Sequence, residues 1–147
     1  MTGDDRGMDL GAAAGALARA MVAAETPILD QAGLSMWEYV VLDALADATA
    51  ISQADLSQRT RRDPTRLGHL LDALSDRGLV ERARSTDRRR VTVSTTPAGQ
   101  QLLAEVKRQI RAMEESFLRS AVGDGGGATA RALLSSLGQA ARGLSID

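Results

Sequence analysis

Three consecutive arginines, Arg88, Arg89 and Arg90, follow Asp87 and precede the alternating segment Val-Thr-Val-Ser at 91–94. A guanidinium group is costly to bury without a partner, so a triplet beside a strand must be hydrated or must meet an anion. Its planar fork suits phosphate oxygens and the narrow, electronegative minor groove of DNA better than an ammonium group does. The triplet therefore indicates a site that binds a polyanion.

The net charge of −1 conceals an uneven distribution of charge along the chain. Residues 1–55 have a net charge of −7, whereas residues 56–95, with ten arginines and five acids, have a net charge of +5. A basic segment of this kind is typical of contact with nucleic acid, although a hydrated charged surface has the same composition. Within it, Arg59, Arg61 and Arg62 either contact phosphates or are hydrated loop residues.

The residue types exclude several classes of chemistry. The chain has no cysteine, so it has no disulfide and no thiolate metal ligand. Its single histidine, His69, would need carboxylates as the other ligands of any metal, and we expect no metal site. No Ser-His-acid set, phosphate-binding glycine loop or carboxylate pair is apparent. We therefore expect a protein that is not an enzyme and that needs no cofactor.

Apolar periodicity predicts the elements that position these arginines. Pro27 is expected to end the first helix or to begin the next turn. Ser35 and Glu38 form a capping box for the second helix, Ser52 is the expected cap of the third, and Asp63-Pro64 is a strong start signal for the fourth. The predicted helices cover ~9–25, ~36–47, ~53–60, ~64–77, ~97–120 and ~128–143. Between the fourth and fifth, "LVERA" and "RVTVSTT" alternate as strands do, which predicts a β-hairpin. Its loop is expected to carry Arg84, Asp87, Arg88 and Arg89.

Two short helices with a tight connection, followed directly by a two-stranded ribbon, form a winged helix-turn-helix. The second of these helices has the width of the major groove of DNA, and the hairpin can carry arginine to the neighbouring backbone or minor groove. The predicted fold is therefore mainly α-helical with a small β-hairpin wing.

The sequence resembles the MarR family of bacterial transcriptional regulators over residues ~10–145. The resemblance rests on "LSMWEYVVLDAL", on "LLDALSDRGLVERARSTDRRRVTVSTTPAG" and on the flanking helices. It implies a symmetric homodimer with interlocking terminal helices and two winged-helix lobes on a palindromic site in double-stranded DNA. The family usually represses nearby genes, and many members release DNA when a small aromatic or phenolic molecule binds between the dimerisation helices and the DNA-binding lobe.

The resemblance also implies roles for single residues. Arg89 matches the wing-tip arginine that enters the minor groove, and Asp87 matches the acid that braces it. At positions 68 and 69 the family often has threonine or serine and then arginine, so Gly68 and His69 depart from its pattern and the operator cannot be transferred. The expected DNA-binding residues are Arg59, Arg61, Arg62, Thr65, Arg66, His69, Asp87, Arg88, Arg89 and Arg90.

The remaining expectations concern an effector pocket, the domain organisation, the dimer interface and two ion pairs. Trp37 and Tyr39 either line an effector pocket or fill the core. We expect one domain over 1–147, with dimerisation helices at 8–30 and 98–147 and a winged-helix lobe at 34–96. The expected dimer interface includes Leu10, Leu17, Met21, Leu133, Leu137 and Leu144. Arg77 and Arg82 are expected to pair with Asp76 or Glu81.

The location and the alternatives follow from the same features. Acids precede the apolar run "LGAAAGALARAMVAA" and Arg19 interrupts it, which is unlike a signal peptide, so we expect a cytoplasmic, bacterial protein without a membrane segment. Two alternatives stay open. One is a DNA-binding regulator that senses no ligand, and the other is a winged-helix module that binds a protein partner.

Overall fold

A long helix, α1, opens the described part of the computed structural model, which covers residues 7, 9–84, 86 and 90–144. Helix α1 spans Leu10–Ala32; it begins at Asp9, whose side chain accepts from the backbone N–H of Ala12, and ends at Gly33 with φ 67°. Pro27 lies inside α1, so the prediction that it ends the helix is wrong. A proline removes one N–H from the helical ladder, whereas the left-handed Gly33 turns the chain away.

Three further helices and a short strand follow α1. They are α2 (Met36–Leu45), β1 (Ile51–Ser52), α3 (Gln53–Thr60) and α4 (Pro64–Asp76). The predicted capping box of α2 is confirmed, because Ser35 and Glu38 each bind the backbone of the other. The predicted caps Ser52 and Asp63 are also confirmed at the start of α3 and α4. Local signals thus set the starts of the three helices.

The wing strands belong to a three-stranded antiparallel sheet. The predicted hairpin is present as β2 (Val80–Arg84) and β3 (Val91–Thr95), with Val80 opposite Thr95 and Arg84 opposite Val91. Arg84 is therefore in a strand and not in the loop. The sheet order is β1-β3-β2, with Ile51 opposite Val93, so the predicted two-stranded ribbon is one strand short. Strand β1 has only two residues, which is too few to show alternation in the sequence.

Apolar side chains from the three central helices and the sheet form the core of the first of two compact units, residues 1–108. Its fully buried side chains are Leu29, Val41, Leu42, Leu45, Leu56, Leu67, Leu71, Leu74, Val80, Val93 and Val106. All of them are aliphatic, as expected for a chain with only three aromatic residues. This core fixes the buried face of α4 and leaves its opposite face exposed.

Helix α5 (Pro97–Val122) begins against the turn between α4 and β2. Thr96 Oγ1 donates to the carbonyl of Gly78 at 2.6 Å and accepts from the N–H of Gly99. A Cβ on Gly99 would lie 2.1 Å from the carbonyl oxygen of Leu79, so only glycine fits there. The motif "TPAG" therefore attaches the start of α5 to the winged-helix lobe.

The second unit, residues 109–147, contains the rest of α5 and helix α6 (Gly127–Arg142). Arg131 on α6 donates to Glu114 at 2.7 Å, which joins the two helices of this unit. No residue of α6 is buried within the described chain. Its leucines are thus free to contact another surface.

Candidate nucleic-acid interface

Helix α4 presents its N-terminal half to solvent. Asp63 accepts from the backbone N–H groups of Thr65 and Arg66 at 3.0 and 3.1 Å, and Pro64 occupies the first helical position. This capping fixes the first turn, from which the side chains of Thr65, Arg66 and His69 extend into solvent. The structure thus brings together on one exposed face three of the predicted DNA-binding residues.

The core holds the opposite side of α4, and two arginines hold the helix by contacts outside the core. Leu67, Leu71 and Leu74 are completely buried. Arg82 on β2 donates to the carbonyl of Gly68 at 3.0 Å and to Asp72 at 2.6 Å. The helix is therefore attached directly to the wing.

Arg77, which caps the C-terminal end of α4, is the second of these arginines. It pairs with Glu38 of α2 at 3.4 Å. The expected partners Asp76 and Glu81 are thus wrong for both Arg77 and Arg82, because the fold brings more distant acids to them. Both arginines nevertheless pair with an acid of the same lobe.

The turn between α3 and α4 has an unusual backbone. Arg61 has φ 50° and ψ 39°, and it is the only residue other than glycine with a positive φ in the described part of the chain. The turn is closed by Ser57, whose Oγ donates to the carbonyl of Arg62 at 2.6 Å and whose carbonyl accepts from the Arg62 N–H. The side chains of Arg59 and Arg61 are exposed.

Arg62, by contrast, is half-buried against Trp37 of α2. Its guanidinium carbon lies 3.9 Å from the centroid of the indole ring. Nε of Arg62 is buried and has no hydrogen-bond partner among the described residues. Trp37 keeps 42% of its surface exposed, and Tyr39, two positions later, is half-buried. Of the two proposed pocket residues, Trp37 therefore already has an arginine on one ring face.

Besides Arg82, two wing arginines lie in the described residues. Arg84 and Arg90 are exposed at the ends of β2 and β3, and Arg90 lines a shallow groove together with Gln53 and Pro64. The groove brings the start of β3 beside the first residues of α3 and α4. Asp87, Arg88 and Arg89, predicted to lie at or beside the wing tip, are outside the described residues.

One feature near α4 was not anticipated. Gln53 lies close to α4, because a Cβ on Gly68 would be 3.8 Å from its Nε2. Gln53 is the first residue of α3, and no spacing in the sequence signals its proximity to α4. In addition, no group of three or more Asp, Glu or His residues in the described ranges could hold a metal ion.

The cations of the described chain differ in their partners, and outside the winged-helix lobe Arg19 and Arg142 have no acidic partner among the described residues. One group is paired with acids and contains Arg77, Arg82, Lys107, Arg108, Arg111, Arg119 and Arg131. In the winged-helix lobe, five arginines have no ion pair, side-chain hydrogen bond or aromatic contact with a described residue: Arg59, Arg61, Arg66, Arg84 and Arg90. Unpaired guanidinium groups concentrated on one lobe attract a polyanion.

The predicted interface leucines are mostly uncovered. Leu10, Leu133, Leu137 and Leu144 are exposed, whereas Leu17 and Met21 are half-buried. By length and composition alone α1 could also cross a membrane, but helices of soluble proteins pass the same test.

Comparisons with known proteins agree with this architecture. Residues 32–90, from the end of α1 to the start of β3, match the model of the MarR family. Comparison with curated protein sequences finds no match.

Among solved structures, wild-type MarR from E. coli in its apo form superposes with a TM-score of 0.82 at 21% identity, covering 90% of this chain and 98% of that one. A MarR-family regulator from Rhodococcus sp. RHA1 has a TM-score of 0.75 at 23% identity, with 90% and 96% covered. NadR in complex with 4-hydroxyphenylacetate has a TM-score of 0.69 at 22% identity, with 93% and 97% covered.

These matches agree with the six helices, the three-stranded sheet and the exposed α4. MarR-family proteins are soluble DNA-binding regulators and not enzymes, which is the function class that the unpaired arginines suit. Residues 32–90 thus match the MarR family model, and the described chain has the winged-helix fold of solved MarR-family structures.

Proposed function

We propose that the protein is a homodimeric transcriptional regulator that binds a palindromic site in double-stranded DNA. One observation carries the proposal: the arginines of the winged-helix lobe that have no acidic partner among the described residues lie around the exposed start of α4 and on the wing. In other parts of the described chain, most cations are neutralised by an acid. Guanidinium groups left without acids are available for phosphates.

The exposed half of α4 would enter the major groove. Thr65, Arg66 and His69 are then the side chains that reach base edges, since recognition helices read bases from their N-terminal residues. Arg59 and Arg61, which flank the turn before α4, would contact phosphates. Arg84, Arg88, Arg89 and Arg90 would follow the wing to the adjacent backbone or minor groove, with Asp87 bracing Arg89.

The test is a binding titration by fluorescence anisotropy over a salt series. A duplex selected by the wild-type protein from a random library is compared with an unselected duplex. A dimer that contacts roughly eight phosphates should show a log-log salt slope near −7. Binding to the selected duplex alone, with this slope, supports the proposal, and absence of binding at low salt refutes it in favour of a protein partner.

Single substitutions assign the contacts. Arg66→Ala should weaken binding and relax the preference for one base pair, whereas Arg89→Ala should weaken binding with the dimer and the helix content unchanged. Arg108→Ala is the matched control, because Arg108 is an exposed arginine on α5 outside the proposed surface. If Arg66→Ala and Arg108→Ala bind equally well, α4 is not the reading helix.

The uncovered leucines of α1 and α6 support the homodimer. Leu10, Leu133 and Leu137 are 72%, 59% and 43% exposed, and isolated soluble chains rarely leave such stripes in contact with water. A second copy of the chain would cover them. Sedimentation of a variant with Leu17→Asp and Leu137→Asp should show monomers with poor DNA affinity, and an intact dimer would remove these residues from the interface.

Small-molecule control rests on one relative. NadR has been solved with 4-hydroxyphenylacetate bound. We propose that a small aromatic or phenolic acid likewise releases this protein from its operator, as a repressor relieved by its effector. Titration of 4-hydroxyphenylacetate and other phenolic acids into the protein–DNA complex tests this, and an unchanged anisotropy with all of them favours a regulator without ligand sensing.

A further inference from the structure

Two adjacent residues at the start of α2, Trp37 and Glu38, each contact an arginine. One arginine lies just before α4 and the other lies at its C-terminal end. Trp37 lies under the guanidinium of Arg62, which immediately precedes the cap residue of α4. Glu38 pairs with Arg77, which caps the other end of α4. Helix α4 has 13 residues and is therefore about 20 Å long, so one turn of α2 is attached to both of its ends.

We infer that Trp37 and Arg62 are positioning residues for DNA binding: their stack holds the N-terminal end of α4 in the orientation that reads DNA. The inference rests on the proposed function. The leucine face of α4 fixes the depth of the helix in the core, and Arg82 attaches its middle to the wing. Contacts at both ends restrict the tilt of the helix.

The chemistry of Arg62 makes Trp37 its essential partner. Nε is buried without a hydrogen bond among the described residues, and a buried guanidinium donor in that state is unfavourable unless another group compensates. The electron-rich face of the indole, 3.9 Å from the guanidinium carbon, supplies that compensation. Without the ring, Arg62 would turn out into solvent.

The backbone transmits this contact to α4. The carbonyl and the N–H of Arg62 are both bonded to Ser57, and the next residue, Asp63, caps α4. A shift of the Arg62 side chain therefore loosens the turn that sets the first turn of α4. A looser turn lowers the population of lobes that are ready to bind, and the apparent affinity falls by the same factor.

Glu38 holds the start of α2 in place, so the stack of Trp37 on Arg62 has a fixed support. Glu38 caps α2 through the N–H of Ser35 at 2.7 Å and also binds Arg77, with only 12% of its side chain exposed. The start of α2 is thus itself fixed, so it can serve as the reference against which α4 is held.

The experiment uses the full-length protein and the duplex selected from a random library. Trp37→Leu and Arg62→Met should each weaken binding by about tenfold, the fold-change expected for a cation–π contact that is partly removed from water. The double variant should bind no worse than either single variant. Trp37→Phe and Arg62→Lys should recover most of the affinity, because each keeps a cation over an aromatic ring.

The salt slope separates positioning from direct contact. Arg62→Met should keep the wild-type log-log slope, whereas Arg59→Met, which removes an exposed and unpaired arginine, should show the shallower slope of a lost phosphate contact. All titrations are made at a temperature at which circular dichroism shows each variant folded. If Trp37 and Arg62 had only a structural role, their substitution would change the unfolding temperature. The conservative variants would then not recover the affinity, and the two salt slopes would not differ in this way.

The emission of Trp37, the only tryptophan, reports on the stack without DNA. Arg62→Met should change that emission, and an unchanged emission overturns the inference. Three other results also overturn it. They are a Trp37→Leu variant that binds with wild-type affinity, a double variant whose loss of affinity is the product of the two single losses, and a shallower salt slope for Arg62→Met. If the wild type binds no duplex, the proposed function fails and the inference with it, whereas these other outcomes overturn the inference alone.

Discussion

Replacement of Arg61 by glycine should make the protein more stable and a poorer DNA binder. Arg61 adopts φ 50° and ψ 39°, a left-handed conformation that costs a residue with a Cβ roughly 1–2 kcal/mol. Glycine avoids this cost but loses about 0.5–1 kcal/mol more in conformational entropy on folding. The net gain in the free energy of unfolding is therefore about 0.5–1 kcal/mol. A chain of this size should melt about 2–4 °C higher for each kcal/mol.

The same substitution removes a proposed phosphate contact. Each lost contact makes the log-log salt slope less negative by about 0.9, so a dimer with two substituted lobes should change by about 1.8. Arg61 faces solvent, so packing does not account for its strained backbone, whereas contact of its side chain with a phosphate would. The opposite signs of the stability and affinity changes are the distinctive result.

Urea unfolding at one protein concentration and anisotropy over a salt series measure the two effects. Arg61→Asn is a control without the charge, because asparagine tolerates the left-handed region. Arg61→Lys keeps both the charge and the strain, so it should match the wild type in stability. An Arg61→Gly variant that is no more stable than the wild type refutes the strain argument, and an unchanged salt slope refutes the contact.

Two further substitutions, each with a matched control, test the framework around α4. Gly99→Ala should lower the free energy of unfolding by at least about 3 kcal/mol, because its Cβ would lie 2.1 Å from the Leu79 carbonyl oxygen. Its control is Gly68→Ala, at a helical glycine with room for a Cβ, which should raise that free energy by about 0.5–1 kcal/mol in thermal or urea unfolding. Arg82→Met should cost about 1–2 kcal/mol, because the Gly68 carbonyl and Asp72 lose their donor. Arg84→Met on the same strand should stay within about 0.5 kcal/mol, and equal losses for the two would contradict the role of Arg82.

Helix starts could be predicted because their signals are local. The Ser35–Glu38 capping box and the Asp63-Pro64 start each involve residues within three positions, and the structure has both. Pro27 was misleading for the same reason. Its local effect is real, but a helix with favourable residues on both sides continues past one missing hydrogen bond, and Gly33 determines where α1 stops.

Features that depend on distant residues could not be predicted. Strand β1 exists because β3, about 40 residues later, accepts it as a neighbour, and two residues carry no alternation of their own. Arg77 and Glu38 are 39 positions apart, so no spacing rule connects them. For the candidate site, composition located the basic lobe and the start of α4, whereas the attachment of Arg62 to Trp37 required the fold.

The arginines show why residue type alone does not assign a role. With 17 arginines and one lysine, the chain uses the same side chain to hold α4 and to present charge around it. Arg82 and Arg77 hold the helix through acids or a carbonyl, while Arg61 and Arg66 have no such partner. Neutralising a holding arginine should therefore lower stability first and affinity as a consequence. Neutralising a free one should lower affinity and the salt slope at unchanged or greater stability, so the two measurements together sort the arginines where the sequence cannot.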